Sequence, residues 1–294
     1  MTWNVRVTAL VGIDLSAAFD TVDHDILLSV LQNRFGICDN ALRWFVTYIA
    51  PRSCKVEVNG QYSSSMKLDF SVPQGSCAGP VLFTAYASTL VDIVPTGVSL
   101  HAYADDHTIK LSFQGGDVVQ ERSGVKILEE TLAAINTWME ENRLQMNNNK
   151  TEFIFFGTRH QLDKCSTTAI SACNVSVPVS KQVKYLGVYL DSELSLNTHV
   201  MKQCQVAMMN VRRLRNIRYA LTIDTAKILA SALILPHLDY ANAILYGLPK
   251  KTLNMIQRIQ NITAKLVLQK KKSDSATQCL KTLHWLPIRP RIEY

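Results

Sequence analysis

The chain lacks the sequence features of membrane-spanning, secreted and disulfide-stabilised proteins. No apolar run approaches the ~18 residues of a membrane span, and the longest candidate, residues 220–246, is interrupted by Asp224, Lys227 and Asp239. The seven cysteines are irregularly spaced and form no Cys-x-x-Cys pair, which disfavours a zinc site or a disulfide framework. The first residues do not form a basic-then-apolar leader. We therefore expect an intracellular protein of the nucleus, the cytoplasm or both, neither secreted nor membrane-bound.

Charge is distributed unevenly along the chain. The net charge is +7, but residues 200–294 hold 16 Lys or Arg against 4 Asp or Glu, whereas residues 1–199 hold 15 basic and 20 acidic side chains. An acidic first part suits cation binding, and a basic last third suits a polyanion. The basic helices are equally compatible with a merely solvated surface. The length of 294 residues allows two domains, and 47% hydrophobic residues indicate a globular protein.

The apolar patterns predict an α+β part followed by a helical part. The predicted strands cover residues 4–13, 152–156 and 183–190, and a hairpin with strands at 54–58 and 65–71 is expected around Asn59-Gly60. The predicted helices cover residues 24–35, 39–48, 76–94 and 121–144. Residues 158–180 are expected to form a surface loop or insertion, and the chain from residue 196 onward is expected to be helical throughout.

Two adjacent carboxylates, Asp105 and Asp106, lie between two apolar runs and are expected at the tip of a hairpin. A bound divalent cation would remove their mutual repulsion, because its charge is the largest local field. A third carboxylate, Asp14, directly follows the first predicted strand. If the two strands are neighbours in one sheet, three carboxylates meet, which suits two divalent ions roughly 3.5–4 Å apart and phosphoryl transfer. A solvated Asp-Asp turn, with Asp14 as a cap, is the simpler alternative. His101 and His107 flank the pair, so one of them could support the metal ligands, but a neutral strand histidine is the simpler interpretation.

A Pro- and Gly-containing loop, Val72-Pro73-Gln74-Gly75-Ser76, separates these carboxylates in the sequence and precedes a predicted helix. Backbone N–H groups at a helix N-terminus favour anions, and glycine lets a ligand approach the main chain closely. Gln74 offers both a donor and an acceptor. As an isolated motif, the loop is also compatible with a plain turn.

The order of these motifs resembles the reverse transcriptases, and most closely those of non-LTR retrotransposons of the jockey and CR1 type. The matching stretches are residues 14–24, 72–76, 79–83, 103–106, 147–156, 184–191, 235–240 and 283–288. The resemblance implies a polymerase palm, an antiparallel sheet with packed helices, at residues 1–157. It also implies a loop with primer-grip strands at residues 158–194 and an all-helical, basic, thumb-like region at residues 195–294. The implied activity is RNA-directed DNA synthesis.

The resemblance assigns roles to the acidic cluster and its neighbours. Asp14, Asp105 and Asp106 would bind two Mg²⁺ ions, with Mn²⁺ as an alternative. Lys150 would protonate the leaving pyrophosphate, although it could equally cap a turn. Phe19 would act as a steric gate that favours dNTPs over ribonucleotides, with ordinary core packing as the alternative.

Further residues are assigned to nucleotide and nucleic-acid contacts. By resemblance, Gln74 and Gly75 would line the incoming nucleotide and the template base, and Leu186-Gly187 would form the primer grip. Arginines recur at spacings of three and six on a predicted helix, which places them near one face that could follow the phosphates of an RNA–DNA hybrid. These arginines are Arg212, Arg215 and Arg218. The expected partners are therefore an RNA template, a DNA primer, their hybrid and dNTPs.

The chain departs from the family pattern before Asp14 and after Ser76. Only thirteen residues precede Asp14, so we expect a fragment that lacks the fingers and an upstream endonuclease. Cys77-Ala78 replaces the residues more usual at that point of the motif. Two other functions stay open: a nucleic-acid-binding remnant that does not retain dNTP, and a different metal phosphotransferase or nuclease.

Overall fold

The computed structural model of the protein describes residues 6–50, 52–73, 75–173 and 175–294. It divides into two compact units, Met1–Val183 and Lys184–Tyr294. The boundary falls inside the segment 158–194 that the resemblance separates from palm and thumb. No helix within the described ranges is both long and apolar enough to cross a bilayer.

The first unit contains ten strands and five helices in the described ranges. The strands are β1 (Arg6–Ile13), β2 (Arg52–Cys54), β3 (Glu57–Val58), β4 (Gln61–Tyr62), β5 (Met66–Leu68), β6 (Ser99–Tyr103), β7 (Asp106–Gln114), β8 (Glu152–Phe156), β9 (Ala169–Ala172) and β10 (Val175–Pro178). The helices are α1 (His24–Asn33), α2 (Asp39–Ile49), α3 (Gly79–Tyr86), α4 (Val118–Glu141) and α5 (Arg159–Leu162). Short 3-10 turns lie at Ala87–Ile93 and Asn148–Lys150.

A four-stranded antiparallel sheet in the order β6-β7-β1-β8 forms the base of this unit. Every second residue of β1 is buried, as expected for a strand with one face in the core. Helix α4 packs against β7 with an apolar stripe that includes Leu128, Leu132 and Ile135. Gly124 permits the close approach, because a Cβ there would lie 2.9 Å from Leu111 Cδ2. The predicted α+β architecture is confirmed.

The helix expected at residues 76–94 begins later and is shorter. Ser76 Oγ donates to the Pro73 carbonyl at 2.7 Å and accepts from the Gly79 N–H at 3.0 Å, which closes a turn before the first helical residue. Helix α3 therefore starts at Gly79 and is followed by a 3-10 turn rather than more α-helix.

Three further predictions, two for strands and one for a loop, also need correction. Asn59-Gly60 does form the turn of a hairpin, but this hairpin joins the two-residue strands β3 and β4. The flanking strands β2 and β5 pair separately, farther from the turn. The expected loop at 158–180 contains α5 and the antiparallel pair β9–β10. The single strand expected at 183–190 is a hairpin, because Leu186 (φ 44) and Gly187 (φ 79) turn the chain.

The second unit is helical after this hairpin, as predicted. The hairpin strands are β11 (Gln182–Tyr185), which crosses the unit boundary, and β12 (Val188–Asp191). The helices are α6 (Asn197–Ile217), α7 (Ile223–Leu233), α8 (Leu235–Asp239), α9 (Lys250–Val267), α10 (Ala276–Leu283) and α11 (Ile288–Glu293), with 3-10 turns at Arg218–Ala220 and Asn242–Leu245. Its core forms where α6 packs on α9, with Ala207 and Val211 facing Ile256 and Ile259 in one apolar cluster.

Candidate active site

The sheet brings the acidic residues together at one end. In the antiparallel pair of β1 and β7, Gly12 lies opposite Thr108 and Ile13 opposite His107. One step further along this register, Asp14 directly follows β1 and Asp106 is the first residue of β7, so the two carboxylates come opposite each other at this end of the sheet. On the other side of β7, Tyr103 pairs with Asp106, which leaves Ala104 and Asp105 as the hairpin turn.

Electrostatics show that these three carboxylates interact. The pKa of Asp106 is raised, first by partial burial and then by the negative charges of Asp105 and Asp14, with a smaller opposing effect of His107. Nearby negative charges disfavour the ionised form of Asp106, which accounts for their part of the rise in its pKa. A cation between them would relieve this repulsion.

One carboxylate oxygen of Asp14 is suited to bind a cation. Asp14 Oδ2 is buried and accepts no hydrogen bond in the described part of the chain, although Lys150 Nζ lies 3.3 Å away as an ion pair. The distance satisfies an ion pair but the geometry does not satisfy a hydrogen bond, and Lys150 is mostly exposed, so the pairing is weak. A buried carboxylate oxygen without a hydrogen bond is costly unless a cation approaches it.

The donor chemistry of this cluster fits a hard divalent cation, since Mg²⁺ prefers carboxylate oxygens. Across the described residues, no three Asp, Glu, His or Cys side chains are already arranged as a complete ligand set. The support for a cation is therefore the strand register together with the buried Asp14 oxygen, which accepts no hydrogen bond in the described residues.

Lys150 is brought to the site by backbone pairing. Strand β8 pairs with β1 through Gly12 and Glu152. Just before β8, the Asn147 N–H donates to the Asp14 carbonyl at 2.8 Å. These contacts hold the 3-10 turn that carries Lys150 beside the residue that follows β1.

His107 is buried and contacts the backbone of the turn that carries Asp105. Its side chain is 1% exposed, and Nδ1 lies 3.0 Å from the Asp105 carbonyl. Burial lowers the pKa of His107, which outweighs the raising effect of the Asp105 carbonyl and the neighbouring carboxylates. The ring is therefore neutral at pH 7, with its Nδ1–H donating to the turn, in agreement with the neutral strand histidine predicted from the sequence.

The Pro-Gln-Gly loop is tied to the segment that follows Asp14. The Val72 N–H donates to the Phe19 carbonyl at 3.0 Å. Two side chains that the sequence analysis left without a role, His24 and Arg52, both contact the Ser71 carbonyl. Their contact with Ser71 could not be predicted from the sequence, because the shared partner is a backbone atom.

The structure describes two of the three residues that are predicted to contact the nucleotide. Gly75 is exposed with φ 81, a conformation that favours glycine, and no atom would obstruct a ligand at its Cβ position within 4 Å. Gln74 lies outside the described residues. Phe19 is half-buried, and its ring stacks on Phe83 with centroids 4.9 Å apart. One face of Phe19 therefore belongs to the core, and its role as a steric gate stays a prediction.

Comparison with known proteins decides the family. The model of the family "Reverse transcriptase (RNA-dependent DNA polymerase)" matches residues 4–190. The chain belongs to the reverse transcriptase family. It is similar to the probable RNA-directed DNA polymerase from transposon BS of Drosophila melanogaster, with 29% identity over 85% of this chain and 28% of the relative.

The chain is also similar to a second relative and to a solved structure. The RNA-directed DNA polymerase from mobile element jockey of D. melanogaster is 26% identical over 87% of this chain and 28% of that protein. The predicted resemblance to jockey-type elements is thus confirmed, and the chain spans little more than a quarter of the length of these relatives. The apo telomerase of Candida tropicalis is similar with a TM-score of 0.48 and 12% identity, covering 96% of this chain and 46% of that chain.

In the helical unit of the chain, the predicted arginine face is only partly present. Arg212 and Arg215 are exposed on α6. Arg218 is 4% exposed, and its guanidinium donates to the carbonyls of Leu266 and Val267. The prediction that Arg218 contacts nucleic acid is therefore wrong: α6 ends at Ile217, and the following 3-10 turn directs Arg218 into the core.

The predicted primer-grip residues form a turn rather than a strand. Leu186 and Gly187 both have positive φ and join β11 to β12. Lys202 on α6 lies 3.5 Å from the ring centroid of Tyr189, which holds β12 against that helix. The turn therefore lies at the tip of a hairpin that is held against α6, with both of its residues half-buried.

Proposed function

We propose that this reverse transcriptase domain catalyses RNA-templated DNA synthesis inside the cell, in the nucleus or the cytoplasm. The primer 3′-hydroxyl attacks the α-phosphate of a dNTP, and pyrophosphate leaves. The observation that carries the proposal is the β1–β7 register, which juxtaposes Asp14 and Asp106 next to the Asp105 turn. Asp14, Asp105 and Asp106 would hold two Mg²⁺ ions, or Mn²⁺, which supply hydroxyl activation and leaving-group stabilisation.

The other residues act on the substrates. Phe19 would contact the sugar of the dNTP, and Gly75 with Gln74 would line the nucleotide and the template base. Leu186 and Gly187 would approach the primer backbone. The RNA template and its hybrid with DNA would contact the basic helical unit through phosphates.

Primer extension on poly(rA)–oligo(dT) tests the proposal. We expect dTTP incorporation that depends on Mg²⁺ and on the primer. Hybrid binding without incorporation would indicate the nucleic-acid-binding remnant. Nuclease activity with no dNTP requirement would indicate a different metal enzyme built on the same carboxylates.

Replacing Lys150 with Met should separate general-acid catalysis from simple pairing. Lys150 Nζ and a metal ion would compete for Asp14 Oδ2, so metal binding must displace the ammonium group. Removing that competitor should lower the half-saturating Mg²⁺ concentration by about two- to fivefold, the worth of an exposed ion pair. Loss of a positioned acid should slow single-turnover incorporation by roughly 10²–10⁴-fold.

Lys126→Met is the matched control, because Lys126 is similarly exposed and pairs with Glu130 at 3.7 Å. It should change neither the half-saturating Mg²⁺ concentration nor the single-turnover rate of incorporation. A Lys150→Met variant that needs less Mg²⁺ but keeps its rate would show that Lys150 only pairs with Asp14.

The exposed arginines of α6 should govern salt dependence. Removing one cation that binds a phosphate reduces the slope of log affinity against log salt by about one. The Arg212→Ala/Arg215→Ala double variant should therefore flatten the slope for an RNA–DNA hybrid by about two, measured by fluorescence anisotropy between low and moderate salt.

The matched control removes two exposed cations from α4 of the other unit, Arg122→Ala/Lys126→Ala. It should leave the slope within experimental error of the unmodified chain. An affinity insensitive to salt, or equal slopes for both double variants, would remove α6 from the nucleic-acid surface.

A further inference from the structure

The turn between β11 and β12 adopts a backbone conformation that its sequence does not favour. Leu186 has φ 44 and Gly187 has φ 79. Glycine enters this left-handed region freely, but leucine does not, because its Cβ approaches the following carbonyl. A strained position of this kind persists only where its surroundings hold it in place.

Tyr240 provides that support from 54 positions along the chain. Its hydroxyl donates to the Leu186 carbonyl at 2.6 Å. Its ring covers the next residue, since a Cβ at Gly187 would lie 3.1 Å from Tyr240 Cε1 and from the hydroxyl oxygen. The Tyr240 side chain thus contacts both residues of the turn.

Tyr240 is not an ordinary core residue, because it remains 49% exposed. Its position is fixed by its neighbours instead. The Tyr240 N–H donates to the Pro236 carbonyl at 2.9 Å, and Asp239 forms an ion pair with Arg291 of α11. Asn242 Nδ2 donates to the Arg291 carbonyl at 3.1 Å, which ties the other side of Tyr240 to the same helix.

We propose that Tyr240 is a positioning residue that holds the Leu186-Gly187 turn in the form that receives the primer backbone. The inference rests on the proposed function and deepens it. The hydroxyl fixes the direction of the Leu186 carbonyl, and the ring prevents the Gly187 backbone from relaxing. Tyr240 therefore affects the affinity for the primer and leaves the affinity for dNTP unchanged, because the residues that contact dNTP lie elsewhere in the chain.

Tyr240→Phe tests this role with the ring retained. We expect the Kd for a primer–template, measured by anisotropy without dNTP, to rise about three- to tenfold, as for one lost hydrogen bond. Amide exchange at residues 186–188 should accelerate. The KM for dTTP should stay unchanged and the thermal midpoint should fall by no more than a few degrees, about the worth of one hydrogen bond, which separates positioning from a general structural role.

Tyr219→Phe is the control, because Tyr219 is 86% exposed and has no hydrogen-bond partner in the described structure. Gly187→Ala should reproduce the Tyr240→Phe effect through the turn itself. The inference is overturned if Tyr240→Phe leaves primer affinity and turn exchange as in the unmodified chain, or if it lowers the thermal midpoint while all kinetic constants decline together.

The same measurements distinguish this inference from the proposed function. If the unmodified chain binds the hybrid but incorporates no dTTP, polymerase activity fails while the effect of Tyr240 on primer affinity stands. If it incorporates dTTP and Tyr240→Phe binds primer normally, the polymerase assignment stands and the positioning role fails. A chain that neither binds nor incorporates overturns both.

Discussion

Replacing Asp105 with Asn should lower Mg²⁺-dependent dTTP incorporation by about 10³-fold. The substitution keeps the size of the side chain and removes the negative charge that a metal ion requires. Metal stabilisation of the transition state is worth several kcal/mol, and about 4 kcal/mol corresponds to about 10³ in rate. Asp105 is exposed in the turn between β6 and β7, so the fold should tolerate Asn there. Single-turnover primer extension measures the effect.

Asp163→Asn provides the control for this experiment, because it makes the same chemical change at an exposed position at the end of α5. It should incorporate dTTP at the unmodified rate. Asp14→Asn should match Asp105→Asn, since both carboxylates face the same site. Incorporation that survives Asp105→Asn unchanged would contradict the catalytic assignment of the whole cluster.

Truncating Arg218 to Ala should destabilise the helical unit by about 3 kcal/mol. The guanidinium donates from Nη1 to the Leu221 carbonyl at 2.7 Å and from Nη2 to the Val267 carbonyl at 2.5 Å. Nε adds bonds to Leu266 and Val267 at 3.1 Å, so Arg218 closes the C-terminal end of α9. A cation there also offsets the negative end of the helix dipole. Its loss leaves the Leu221 and Val267 carbonyls without this donor, each costing roughly 1–3 kcal/mol before the chain relaxes, whereas the Leu266 carbonyl keeps the Gln269 N–H.

Urea denaturation followed by circular dichroism measures this free energy, and hydrogen exchange in the last turn of α9 assigns it to the helical unit. Arg215→Ala, an exposed change one turn earlier on α6, should stay within about 0.5 kcal/mol of the unmodified chain. Arg218→Lys should not rescue stability fully, because one ammonium group cannot reproduce the planar fork. Equal stability of Arg218→Ala and Arg215→Ala would contradict the structural role.

The sequence predicted the parts of the site that depend on local pattern. The apolar composition of residues 4–13 and the apolar runs around Tyr103 to Asp106 are sufficient to place Asp14 and the Asp pair at strand ends. Their meeting was only conditional, because strand order is set by packing over long separations. The register of β1 with β7 brings the carboxylates together, and the periodicity of the sequence does not reveal this register.

Two errors show where periodicity stops being informative. Arg218 continues the spacing of Arg212 and Arg215, but spacing carries no information about where α6 ends. Leu186-Gly187 interrupts an apolar run without the Asn or Asp that commonly precedes Gly in tight hairpins. The hydrogen bond that stabilises the turn comes from Tyr240, far along the chain.

The position of β1 in the sheet has a consequence for how this protein is made. β1 pairs on one side with β7 and on the other with β8, so both partners are synthesised roughly a hundred residues or more after it. Pairings this distant in sequence fold slowly, because the intervening chain must be closed into large loops first. Until then an apolar strand with two open edges stays exposed on the ribosome, a target for chaperones and for aggregation. The end of the sheet that carries Asp14 and Asp106 therefore cannot form before β7 has been translated, and the other edge of β1 stays open until β8 follows.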